Sequence, residues 1–89
     1  MNNYTYYSLL YVSNIDHYAT DYDLYHVFSQ FGEELEIYMP RDTISGYSQG
    51  FAFIRYINEE DVEEALEWPH GARFLGRDIT VREAAVLIE

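Results

Sequence analysis

The segment QGFAFIRY, residues 49–56, alternates between two kinds of side chain. Successive side chains of a β-strand point to opposite faces of the sheet. One set would suit a hydrophobic core and the other would meet solvent; the first is Ala52, Ile54 and Tyr56, and the second is Gln49, Phe51, Phe53 and Arg55. The opposite arrangement would bury an arginine and a glutamine, at a greater cost in free energy. The segment therefore predicts a strand that presents two phenylalanine rings to solvent.

The segments around this strand predict three more strands and two helices. Strand-like composition or alternation occurs in residues 8–13, 34–40, 50–56 and 76–83. Apolar residues recur at helical spacing in two places, Leu24, Val27, Phe28 and Phe31 in the first and Val62, Ala65 and Leu66 in the second. The order β-α-β-β-α-β predicts an α+β, ferredoxin-like sandwich with a four-stranded antiparallel sheet. Two helices cover only one face of such a sheet, so we expect the other face to be open.

The ends of these elements have their own sequence signals. Thr20 followed by Asp23 resembles a capping box at the start of the first helix. Asn58 is predicted to cap the second helix. We expect one domain over residues 8–84, with an N-terminal tail at residues 1–7 and a C-terminal tail at residues 85–89.

The residue patterns of common catalytic, metal and membrane sites do not occur in the sequence. The chain has no cysteine, which excludes disulfides and cysteine-ligated zinc. His17, His26 and His70 lack metal-ligand spacing, and there is no nucleophile elbow or phosphate-binding glycine loop. No apolar run approaches the roughly 20 residues of a membrane span. We expect a protein that is not an enzyme and has no cofactor, metal or membrane partner.

The chain is strongly acidic, with a formal net charge of -11 and five basic residues, all arginines. This charge argues against nonspecific binding to nucleic acid, which depends on phosphate neutralisation by Lys and Arg. Six acidic residues belong to the second helix, behind the sheet: Glu59, Glu60, Asp61, Glu63, Glu64 and Glu67. With a Debye length of about 8 Å, their charges should be largely screened from the open face.

Aromatic side chains are predicted to collect on the open face. By the same alternation, the first strand buries Leu10 and Val12 and exposes Tyr11 and Ser13, while the second strand exposes Tyr38. Exposed rings without a partner promote association. Either a tail or a dimer partner covers them, or they form a platform on which unpaired bases stack. The residues predicted to meet such a ligand are Tyr11, Phe51, Phe53, Tyr38, Gln49, Arg55, Arg41, Arg82 and Ser13.

Two segments carry a family resemblance. LYVSNI, residues 10–15, resembles the second ribonucleoprotein motif of RNA-recognition motif (RRM) domains, and QGFAFIRY resembles the first. In that family the positions matched by Tyr11, Phe51 and Phe53 stack on bases or press on a sugar. Gln49 departs from the pattern, because the family usually has Lys or Arg there, so a cation that could contact phosphate or base is lost.

A longer stretch narrows the resemblance. YMPRDTISGYSQGFAFIRY, followed by FLGRDITV, resembles the RRMs of serine/arginine-rich splicing factors. The resemblance implies a monomeric, single-stranded RNA-binding module of a splicing or mRNA-processing factor, located in the nucleus, with shuttling to the cytoplasm left open. It also implies a basic, arginine/serine-rich segment beyond Glu89. The alternative hypothesis is a protein-interaction domain on the same fold, whose acidic second helix binds a basic peptide such as an arginine/serine-rich segment.

Overall fold

A computed structural model describes residues 5–68 and 73–88 of the chain. Its elements, in chain order, are β1 (Thr5–Ser13), α1 (Asp21–Phe28), β2 (Leu35–Tyr38), β3 (Phe51–Tyr56), α2 (Glu60–Leu66), β4 (Arg73–Phe74), β5 (Arg77–Asp78) and β6 (Thr80–Ile88). Four of the strands form one sheet in the order β2-β3-β1-β6. All of its pairs are antiparallel, which confirms the predicted β-α-β-β-α-β sandwich.

The alternation predicted for β3 is present in the structure. Ala52, Ile54 and Tyr56 are buried, whereas Phe51 and Phe53 are half-buried and Arg55 is exposed. β1 follows the same rule, with Leu10 and Val12 buried. The pairing brings Leu10 opposite Ile54 and Val12 opposite Ala52 on the helix-covered face, where cross-strand neighbours stabilise the sheet by direct contact.

The two helices close the core over that face. In α1, the Thr20 hydroxyl accepts from the Asp23 N–H and the Asp23 carboxylate accepts from the Thr20 N–H, as the capping box predicts. Leu24 and Phe28 are buried, and the Tyr56 hydroxyl donates to the Phe28 carbonyl oxygen at 2.6 Å. Burial raises the pKa of the Tyr56 phenol, which keeps it neutral. This bond ties α1 to the central strand β3.

The second helix is short and begins differently from the prediction. The residue that precedes it is Glu59, with no side-chain cap, so the prediction of an Asn58 cap is wrong. Asn58 contributes its backbone carbonyl instead, which accepts from the Asp61 N–H. Val62 and Ala65 are buried in the core. Within residues 5–68 and 73–88, no helix is long and apolar enough to cross a membrane.

Strands β1 and β6 extend further than the sequence predicts. They pair continuously from Thr5 opposite Ile88 to Ser13 opposite Thr80. Residues 5–7 and 85–88 therefore belong to strands and not to tails. The two strands satisfy each other's backbone hydrogen bonds along this extension. The rest of the predicted tails, residues 1–4 and Glu89, lies outside the described residues.

A small hairpin also precedes β6. β4 and β5 pair through Arg73 opposite Asp78 and Phe74 opposite Arg77. The two residues between them, Leu75 and Gly76, both have positive φ. That backbone is typical of the tightest hairpin turn, in which glycine at one position lowers the strain.

We predict that Ile54→Ala destabilises the fold by roughly 2–5 kcal/mol, because it leaves a cavity between the sheet and the helices. Phe53→Ala, one position earlier on the open face, should cost clearly less. Urea denaturation followed by circular dichroism would measure both free energies of unfolding. An equal loss for the two variants would contradict the assignment of core and open faces.

Candidate nucleic-acid interface

Three rings meet on the open face of the sheet. The Tyr11 ring centroid lies 5.4 Å from that of Phe53 and 6.1 Å from that of Phe51, and the two phenylalanine centroids are 6.1 Å apart. The rings are tilted to one another, by 40° and 47° for the tyrosine pairs and 84° for the two phenylalanines. Since none of the three is stacked face to face on another, ring surface is left for a ligand. We call Tyr11, Phe51 and Phe53 the aromatic triad.

Strand pairing places other predicted residues around the triad. Tyr38 of β2 and Tyr11 of β1 both lie directly opposite Phe53. Arg82 of β6 lies opposite Tyr11, so these four residues form one row across the whole sheet. Ser13 lies opposite Phe51 and completes the neighbouring row. Tyr38 is 67% exposed at the outer strand, which leaves its ring open to a ligand.

Arg55 has a partner that the sequence analysis missed. Its guanidinium lies over the Tyr7 ring, 4.6 Å from the centroid, in a cation–π contact. Tyr7 belongs to the part of β1 that was predicted to be a tail. Side chains two residues apart on a strand lie on the same face, so Tyr11, Leu9 and Tyr7 share the open face. Extending the predicted strand back to residue 7 would therefore have placed the Tyr7 ring there.

Gln49 and Arg41 lie in the connection between β2 and β3 and not on the sheet itself. The Arg41 guanidinium contacts the Asp21 carboxylate at 3.2 Å, at the start of α1, and also donates to the Gly46 carbonyl oxygen. Both contacts are with the connection itself and the start of α1, and neither is with a residue of the triad. The exposed Gln49 amide donates to the Arg41 carbonyl oxygen at 3.4 Å, which is a long contact that a ligand could replace.

The same connection is ordered by an acidic residue. Backbone N–H groups of Ser45 and Ile44 donate to the Asp42 carboxylate and hold its pKa below its usual value. This carboxylate stays ionised and fixes the turn that leads into β3. It is a structural anion of the loop, directed at the backbone of its own turn.

The charges are divided between the two faces. The carboxylates on and beside α2 make no ion pair with any residue in the described ranges, and most are exposed; they are Glu59, Glu60, Asp61, Glu63, Glu64 and Glu67. On the open face, the exposed charged side chains in the rows around the triad are Arg82, Arg55 and Glu36. Glu36 lies directly opposite Arg55. The open face is thus mildly basic while the helix face is strongly acidic.

A shallow depression of about 420 Å³ adjoins the triad. It shares Phe53 with the triad and is lined further by Tyr7, Leu9, Glu36, Ile37, Tyr38 and Arg55. One end of this depression is aromatic and the other carries a guanidinium and a carboxylate. Among the described residues, no group of His, Cys, Asp and Glu is arranged to hold a metal ion. The residues that line the depression can contact the rings and the hydrogen-bonding edges of a ligand.

The sequence was compared with models of known protein families. The family model of the RNA recognition motif matches residues 10–80, which include both motif segments and the whole aromatic triad. The chain belongs to the RNA recognition motif family. Membership confirms the resemblance drawn from LYVSNI and QGFAFIRY and the prediction of a binding domain instead of an enzyme.

Proteins with similar sequences include a splicing factor and a chloroplastic protein. The serine/arginine-rich splicing factor SC35 of Arabidopsis thaliana is 42% identical over 78 residues, which cover 88% of this chain and 25% of that protein. The organelle RRM domain-containing protein 6, chloroplastic, of the same plant is 39% identical over 75 residues, covering 84% and 41%. This chain therefore spans less than half the length of either relative.

Solved structures agree with the fold. An SXL-lethal protein/RNA complex superposes with a TM-score of 0.75 at 30% sequence identity. The match covers 83% of this chain and 46% of that one. The fold of this chain is therefore shared with a protein whose structure was solved as a complex with RNA.

Proposed function

We propose that this RRM binds single-stranded RNA by stacking bases on the aromatic triad. The observation that carries the proposal is the grouping of Tyr11, Phe51 and Phe53 within 5.4–6.1 Å on a sheet face that the helices leave uncovered. Stacking on rings requires bases that are free of pairing, since a duplex encloses its base faces. Each stacked base contributes roughly 1–3 kcal/mol, so stacking of two or three bases gives a modest affinity that differs little between base types.

The charge distribution supports stacking over phosphate attraction as the main source of affinity. Arg82 lies in the triad's own row, and Arg55 lies in the next row, over Tyr7. Arg41 is engaged by Asp21, and Gln49 offers no charge. With about two cations available, the slope of log affinity against log salt should be shallow, near −0.7 per phosphate contacted.

The proposal extends to the cellular role and location of the protein. The 42% identity to a plant serine/arginine-rich splicing factor supports a role in splicing or mRNA processing and a nuclear location. The 39% identity to a chloroplastic relative is the reason to test that location directly. A fluorescent fusion of the full-length protein should be nuclear. Fluorescence confined to chloroplasts or mitochondria would overturn this part of the proposal.

A second candidate function rests on α2. Its carboxylates lie behind the sheet and have no basic partner among the described residues, which is the charge pattern that a basic peptide complements. We propose this peptide contact as an additional role and not as a substitute, because it would use the face opposite the triad. The two roles differ in their dependence on α2 charge and are separable by mutation.

We predict that Phe51→Ala and Phe53→Ala each weaken RNA binding while the domain stays folded. Loss of one stacked base should lower affinity by roughly fivefold to a hundredfold. Fluorescence anisotropy with a short single-stranded RNA measures the dissociation constant, and circular dichroism serves as the folding control. If the double variant bound as tightly as the natural chain, the triad would not be the binding platform.

Gln49→Arg is predicted to tighten RNA binding, because it adds a charge-assisted contact at the entrance to β3. The slope of log affinity against log salt should steepen by about 0.7, the value for one further phosphate contact on a single strand. Titrations at several salt concentrations measure both the dissociation constant and the slope. Gln49→Met, similar in length and uncharged, is the control, and it should leave the slope unchanged. An unchanged slope in Gln49→Arg would place this position away from RNA.

The roles of α2 are tested by replacing Glu60, Glu63, Glu64 and Glu67 with glutamine. At physiological salt the Debye length is about 8 Å, so RNA affinity should rise only slightly. At about 0.01 M salt the Debye length is roughly 30 Å, and the variant should bind RNA distinctly better than the natural chain. A basic peptide docked on α2 should lose affinity at every salt concentration. A large gain in RNA affinity at physiological salt would contradict the separation of the two faces.

A further inference from the structure

The depression beside the triad has a chemical character of its own. At its polar end, Glu36 of β2 and Arg55 of β3 lie directly opposite each other, where side chains of an antiparallel pair are about 5 Å apart at Cβ. Among the described residues, Glu36 makes no hydrogen bond or ion pair. Its carboxylate therefore offers acceptors to a ligand, directly beside the donors of Arg55.

The other end of the depression provides ring surface. Tyr38 and Phe53 lie opposite each other, and both line the depression. Tyr7 lines its far side and holds the Arg55 guanidinium over its ring, which limits the directions that the guanidinium adopts. A flat ligand resting on Tyr38 would thus present its edge to the Glu36 carboxylate and to the Arg55 guanidinium that Tyr7 positions.

We propose that this depression is a guanine-selective subsite for a base of the same RNA strand. The inference rests on the proposed function, because Phe53 belongs both to the triad and to the depression. Since a strand that stacks on Phe53 passes this edge of the sheet, the neighbouring base is within reach. The subsite would read that base at its Watson–Crick edge, which single strands leave exposed.

Guanine fits the donors and acceptors better than the other bases. Its Watson–Crick edge has two adjacent donors, N1–H and the N2 amine, followed by the O6 acceptor. The carboxylate of Glu36 accepts from both donors, in charge-assisted bonds, while O6 accepts from Arg55. Cytosine and adenine offer one amine beside an acceptor nitrogen, and uracil offers one N–H between two carbonyl oxygens that the carboxylate repels.

The test compares RNA strands that differ at one base. Anisotropy titrations would use a nonamer of uridine and the same strand with a central guanosine, inosine, adenosine or cytidine. The natural chain should prefer the guanosine strand over the uridine strand by roughly tenfold, the usual discrimination of a bidentate contact. Inosine, which lacks the N2 amine, should fall between guanosine and uridine.

Two matched variants test whether the preference for guanosine depends on Glu36. In Glu36→Ala the preference for guanosine should fall below about twofold, because both acceptor contacts are lost. Glu34→Ala removes the same charge from an exposed residue that does not line the depression, and it should keep the preference. The ratio of the guanosine-strand affinity to the uridine-strand affinity is the readout, since either substitution also removes a negative charge that repels both strands alike.

The outcomes separate this inference from the function on which it rests. Equal binding of the guanosine and uridine strands by the natural chain, with Phe51→Ala still weakening both, would overturn the subsite alone. A guanosine preference that survives in Glu36→Ala would do the same. If neither strand bound, or if Phe51→Ala had no effect on either, both the subsite and the stacking platform would be wrong.

Discussion

Strand β3 is hydrogen-bonded along both edges, but the helices cover only one of its faces. Both of its neighbours, β1 and β2, satisfy its backbone, so the side chains alone decide which face is dry. Ile54 and Tyr56 are buried under the helices, and Tyr56 anchors α1 through its hydroxyl. Because strand side chains alternate, burying these residues places Phe51 and Phe53 on the opposite face. Core packing and ring exposure thus have a single cause.

This geometry allows an acidic chain to bind an anionic ligand. The α2 carboxylates lie behind the sheet, while Arg55 and Arg82 lie on the side of the triad. Net charge at a distance is screened, whereas stacking acts at contact. A binding surface with few cations and several rings disfavours nonspecific attraction to any nucleic acid and depends on the faces and edges of unpaired bases. The Glu36 carboxylate lies beside Arg55, one row from the Tyr38–Phe53 pair, and in the subsite that we propose it selects which base is accepted.

Much of this arrangement could be predicted from the sequence, because strand alternation and helical spacing are local signals. The faces of β3, the capping box at Thr20 and the grouping of the Tyr11, Phe51 and Phe53 rings on the open face were predicted correctly. The extension of β1 back to Thr5 was not predicted, because its pairing with β6 joins residues about eighty positions apart in the chain. The Leu75–Gly76 turn lacks the Asn-Gly or Asp-Gly signal of such hairpins. The contact between Arg41 and Asp21 likewise joins two elements that no local pattern relates.

An NMR titration would show directly whether RNA binds to the open face of the sheet. Short single-stranded RNA would be added to labelled protein while backbone and aromatic resonances are followed. We expect the ring resonances of Tyr11, Phe51 and Phe53 to shift progressively, as stacking on a base requires, while the resonances of Glu60–Leu66 stay nearly constant. Shifts confined to α2, or ring resonances that do not move at saturating RNA, would contradict it.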